Sequence, residues 1–272
     1  MYEDIYRKYS RFMADDIVAE IEGRAYTFAG NDRNVLKEMC DEIDKTYPEY
    51  SYKFHYLSEI DRISLPVGSS SILLKYIYQF ESESCRSVLV SCILLDNRRY
   101  KVKIKNLDRI IMDLYHHFRA SPYYLPPPGP CRAAHIYMRY DTALTRLKTL
   151  KIVPDIIEIL KSRRELYILG GTAMAISKKW APKELGEIVA AHLMNKNVTR
   201  TDVGIPEDGG DYRPTAEVIA TQSVFNGIQY LRYYPSQENV RIISSYADHE
   251  NEELAKYAKA QAELMEKKLQ EM

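Results

Sequence analysis

The chain has 272 residues, 46% of them apolar and 28% charged, with a net charge of zero. That composition excludes wholesale disorder, and a content of only 11 glycines favours helix over a turn-rich all-β design. The zero conceals a segregation: residues 1–85 carry 10 basic against 16 acidic side chains (net −6), residues 86–183 carry 19 against 7 (net +12), and residues 184–272 carry 9 against 15 (net −6).

Residues 1–14 predict a short helix, with Ile5, Tyr6, Tyr9, Phe12 and Met13 at helical spacing. Residues 17–28 read as strand, with a turn at Glu22-Gly23-Arg24. Gly30-Asn31-Asp32 then opens a helix whose buried stripe is Val35, Leu36, Met39, Cys40 and Ile43 and which stops before Pro48. Residues 50–65 alternate as a strand, and 72–80 fit either state. The stretch 87–95 is rich in β-favouring residues, Asp96-Asn97-Arg98 is a turn, and 99–105 alternates strictly, which together predict an antiparallel hairpin. Asn106 caps a helix through Leu107, Ile110, Ile111, Leu114, Tyr115 and Phe118.

Residues 121–130 hold Pro122, Pro126, Pro127, Pro128 and Pro130, so they form a stiff extended linker. Beyond it the chain is helical. One helix is expected over 132–150 and a second from Pro154 to about Arg164. A third runs over 166–179 through Gly170-Gly171, and a fourth from Pro182 to about Asn195. A polar loop follows at 199–213, then a helix over 215–233, and a charged helix from about Asn251 with a thin apolar stripe of Leu254, Tyr257, Ala258, Leu264 and Leu269. The expected fold class is α+β: an N-terminal mixed domain with an antiparallel hairpin (1–120), a proline-rich linker (121–130) and an all-α C-terminal domain (131–272).

Cys40, Cys85, Cys92 and Cys131 form no CxxC pair, and the polar, acidic start of the chain is no signal peptide, so reduced thiols in the cytoplasm are expected. The longest apolar run reaches about half the length of a membrane span, so no membrane association is expected. No Ser-His-Asp or Cys-His signature is present. Gly170-Gly171-Thr172 lacks the spacing of a phosphate loop, and Cys131 with His135 makes too few ligands for zinc, so neither cofactor nor metal is expected. His116 and His117 point to different sides of their helix. A dispersed active site would start from Asp15, Asp16, Glu20 and Glu22.

The basic belt carries the functional expectation. Lys101, Lys103 and Lys105 share one face of the predicted ribbon, with Arg98 and Arg99 at its turn, and such a row can track a phosphate backbone or simply protect a sheet edge. Arg132, Arg139 and Arg146 recur every seven residues on one helix face, and Lys161, Arg163, Arg164, Lys178 and Lys179 extend the surface. The 23 tyrosines add stacking area, or fill core and boundary positions. The sequence therefore points to a non-enzymatic, nucleocapsid-like RNA-binding protein that coats single-stranded nucleic acid and self-assembles into a homo-oligomer through its acidic ends. The alternative is a protein-binding module, an inhibitor or scaffold whose basic face recognises an acidic protein partner.

Overall fold

A computed structural model describes residues 30–48, 68–121, 124, 132–146, 149–196 and 216–272. Among the described residues every regular element is helical and no strand occurs, so the expected α+β class is replaced by an all-α one. The predicted helix at 1–14, the strands at 17–28 and 50–65, the polar loop at 199–213 and most of the proline linker lie outside the described residues. The chain divides into two compact units, one of Met1–Tyr123 with Ala134–Ala143, the other of Tyr124–Ala133 with Leu144–Met272.

The first unit begins with α1 (Gly30–Thr46), which buries Val35, Met39 and Ile43 at helical spacing as its stripe requires. It packs on α2 (Ser70–Tyr76), and α2 packs on α3 (Glu83–Tyr100). This last helix is the correction to the predicted hairpin. Leu89, Val90, Cys92, Ile93 and Leu94 are all buried, so α3 is covered on most of its circumference and shows no one-sided apolar pattern. Local β propensity lost to tertiary burial, which routinely overrides it. Ser82 caps the helix by accepting the Cys85 amide at 3.4 Å. Asp32 of α1 accepts the amides of Glu81 at 2.6 Å and Ser82 at 3.0 Å, which fixes the entry to α3.

After α3 comes a connection with no regular structure, and then α4 (Leu107–Ala120), which packs on α3 and buries Ile111, Leu114, Tyr115 and Phe118. Asn106 stands at the N-cap of α4 in the left-handed region (φ 57°) and its side chain makes no cap bond, contrary to the capping role expected of it. The next helix, α5 (Arg132–Leu144), ends before 150 and gives residues 134–143 to this unit. Tyr140 of α5 stacks nearly parallel on Phe118 (centroids 5.5 Å apart) and meets Tyr115 tilted at 5.4 Å, so tyrosines here build the core.

In the second unit α6 (Val153–Leu160) carries Pro154 in its first turn, and α7 (Arg163–Ile168) follows as a separate helix. The expected continuous helix through Gly170-Gly171 is broken at Leu169, and α8 (Gly170–Lys179) starts afresh. A Cβ on Gly170 would stand 2.9 Å from the Tyr230 hydroxyl, so glycine there permits close packing. Pro182 precedes α9 (Lys183–Met194), and α10 (Ala216–Leu231) packs on both α8 and α9. The helix α11 (Gln237–Ser244) was not anticipated from sequence. It packs on α9 and on α12 (Glu252–Glu271), which Asn251 caps by accepting the Leu254 amide at 3.0 Å. The face that α12 buries is Leu254, Ala258, Ala262 and Met265, whereas Leu264 is exposed.

Candidate nucleic-acid interface

The expected lysine row survives the loss of the hairpin. Residues 101–106 form a strap between α3 and α4, and exposure along it alternates: Lys101, Lys103 and Lys105 face solvent while Val102 and Ile104 are half-buried. The half-buried Val102 and Ile104 anchor the connection, and the three lysines between and beside them are exposed. The chain leaves α3 through Lys101 at φ 60° and enters α4 through Asn106 at φ 57°. Between these ends the Asn97 amide, in the last turns of α3, donates to the Val102 carbonyl at 2.6 Å and holds the strap against the helix end. Arg98 and Arg99 belong to the final turn of α3 and not to a β-turn.

The remaining basic residues differ in exposure and in what they touch. Arg132 opens α5, and Arg146 is exposed just past its end. Arg139 is half-buried and donates to the Ser87 hydroxyl at 3.2 Å within the first unit. In the second unit Arg163 is buried and its guanidinium donates to the carbonyls of His192 and, at 2.9 Å, Asn195. Those oxygens end α9 and lack helical partners, and the Tyr246 hydroxyl caps the neighbouring Leu193 carbonyl. Arg164 donates to the Tyr124 carbonyl at 2.5 Å and lies 4.5 Å from the centre of that ring. Lys161 pairs with Glu158 at 2.5 Å and Glu184 at 3.6 Å. Lys178 is exposed at the end of α8, and Lys179 lies 4.2 Å over the Trp180 ring. The seven-residue stripe of Arg132, Arg139 and Arg146 is thus not one uniform exposed face.

Sequence reasoning missed a buried ionic cluster in the first unit. Arg86 donates through Nε to the Phe80 carbonyl (2.8 Å), through Nη2 to the Glu81 carbonyl (2.9 Å) and through Nη1 to Glu83 Oε1 (2.8 Å). His117 of α4 brings Nδ1 to within 2.9 Å of Glu83 Oε1 and 2.5 Å of Arg86 Nη1. The tautomer of the imidazole decides whether that nitrogen donates to the carboxylate or accepts from the guanidinium. Glu83 is 3% exposed and His117 57%, so solvent reaches the cluster from the imidazole side. Burial pushes the Glu83 carboxyl above its ordinary range, against the opposing pull of Arg86 and His117. Glu83 Oε2 and the Tyr140 hydroxyl are buried without a hydrogen-bond partner. All three nitrogens of Arg86 are spent on the protein itself, which makes the cluster a staple joining the start of α3 to α4. The pairing of Glu83, Arg86 and His117 leaves no mark in sequence, because the histidine lies 31 residues from the arginine.

Family models, curated proteins and solved structures give no match to this chain. The interface therefore rests on geometry and charge alone. Among the described residues no group of three or more His, Cys, Asp or Glu side chains is placed to hold a metal ion, and no helix is long and apolar enough to cross a membrane. Asp15, Asp16, Glu20 and Glu22 lie outside the described residues.

Proposed function

We propose that this chain is a non-enzymatic protein that coats single-stranded nucleic acid, RNA by preference, by neutralising its phosphate backbone. The observation that carries the reading is the strap: Lys101, Lys103 and Lys105 are exposed together and have no carboxylate in ion-pair reach among the described residues. Phosphate contacts of this kind supply affinity without reading sequence, as a coating protein requires. The net −6 flanks on either side of the +12 centre support self-association between acidic and basic surfaces of neighbouring copies. Cys85 and Cys92, neither in a disulfide, fit a reducing, cytoplasmic setting.

Fluorescence anisotropy with a random single-stranded RNA across a salt series tests the reading. The logarithm of affinity should fall linearly with the logarithm of salt concentration, by about 0.7 for each phosphate neutralised. No binding at low salt would remove the proposal and leave an acidic protein surface as the partner for the same cations.

A further inference from the structure

Building on that reading, we infer that the corner between α8 and α9 is a stacking site for a nucleobase, with Trp180 as the platform and Lys179 as the cation for the adjoining phosphate. Trp180 directly follows the last residue of α8, and its amide still bonds the Ile176 carbonyl at 2.9 Å. The side chain is half-buried, so the indole is held by its unit and partly open to solvent. The group over the ring is an ammonium: Lys179 Nζ lies 4.2 Å from its centre, and Lys179 is an exposed residue. A cation on a flexible, hydrated stem gives up such a contact at little cost. A base that slides onto that face takes the place of the ammonium, and the ammonium moves to the phosphate the base brings with it. Stacking of this kind tolerates any sequence, because every base has a π-face, and coating requires that tolerance.

The backbone holds the platform in place. Ala181 stands in the left-handed region at φ 43°, where glycine would be unstrained, and its amide also bonds the Ile176 carbonyl at 3.2 Å. Pro182 fixes the next φ and leads into α9. Two constrained residues in succession thus set the indole at the corner, and retained backbone strain collects at binding sites. Exposed Lys178 adds positive charge beside the ring, whereas Lys183 on the far side is paired with Glu187 at 3.2 Å.

Trp180 is the single tryptophan, so its fluorescence reads this site directly. Random single-stranded RNA should quench it along the same binding curve as the anisotropy, and inorganic polyphosphate, which has charge but no bases, should quench it far less. Trp180→Ala should weaken RNA binding by about tenfold and Trp180→Phe by less than about three-fold, since a phenyl ring still stacks. Lys179→Ala should lower the salt slope by about 0.7, and an unchanged slope would overturn the part given to that lysine. Melting by circular dichroism checks that the variants fold, and the wild-type quenching does not depend on them. RNA that binds without quenching, or polyphosphate that quenches as strongly as RNA, would overturn the stacking site while leaving the coating reading in place. Wild-type affinity in a folded Trp180→Ala would do the same. A wild type that binds no RNA at low salt would remove both.

Discussion

Replacing Arg86 with methionine should loosen the first unit far more than a surface charge change could. The substitution keeps most of the apolar stem but removes donors from the Phe80 and Glu81 carbonyls and from Glu83 Oε1. It strands a carboxylate that is 3% exposed, with only the His117 imidazole left beside it. Breaking a buried pair from one side costs about 3–5 kcal/mol. The lower end of that range sets the floor of the expectation. At 1.4 kcal/mol per tenfold, opening of the unit should become more frequent by roughly two orders of magnitude or more. Cys85 and Cys92 supply the assay, because both are buried on α3 and neither is in a disulfide. Alkylation under native conditions, mapped by mass spectrometry of the α3 peptide, should accelerate by that factor. The double variant E83M/R86M removes both charges and should recover part of the loss, since an apolar pair of similar size is often neutral. Acceleration of less than tenfold in Arg86→Met, or no recovery in the double variant, would refute the argument that this staple holds α3 to α4.

Two further outcomes follow from burial. Burial raises the carboxyls of Glu83 and Asp32 above their ordinary values of 4.5 and 3.8. The folded chain then holds protons that the unfolded chain has released, so this part of the stability is fully present below those values and is lost as pH rises through the raised ones. Urea midpoints taken between about pH 4 and 7 should show the slope in wild type, and Glu83→Gln should remove its share; identical profiles would contradict the assignment. In the second unit a Cβ on Gly186 would meet the Tyr234 ring at 2.6 Å, and that ring is tethered by its hydroxyl donating to Ser177 at 3.1 Å. Gly186→Ala should therefore cost about 1–3 kcal/mol despite the better helix propensity of alanine. Trp180, the single tryptophan, lies in this unit and reports the melting temperature, which should fall; a rise would show that Tyr234 yields easily.

Amphipathic helices were legible in the sequence, and the helix covered on most sides was not. Val35, Met39 and Ile43 in α1, and Ile111, Leu114, Tyr115 and Phe118 in α4, are buried at the spacing their stripes announce. In α3 the run from Leu89 to Leu94 packs on most sides, which erases the period and leaves only a β-favouring composition to read. The alternation at 101–105 corresponds to alternating exposure in an irregular connection with no partner strand, entered through left-handed Lys101. Leu264 was placed in the buried stripe of α12, where Ala262 and Met265 do that work: two positions one residue apart in register differ fully in burial. For the candidate interface, type and position of the basic residues were legible, while their engagement was not. Arg163 reads as a surface cation in sequence and is a buried cap for α9, a role set by a helix end about thirty residues away.

Lys101 sits at φ 60°, where a side chain is penalised by about 1 kcal/mol and glycine is not. Asn106, at the other end of the strap, is a residue type that tolerates this region, so the strain is concentrated at the lysine. A stability-engineering survey that ranks positions by backbone discomfort would choose Lys101→Gly among its first substitutions. On the present reading that substitution would harden the scaffold while removing one of the three exposed lysines between α3 and α4, so thermal robustness and grip on a polyanion are set against each other at a single residue.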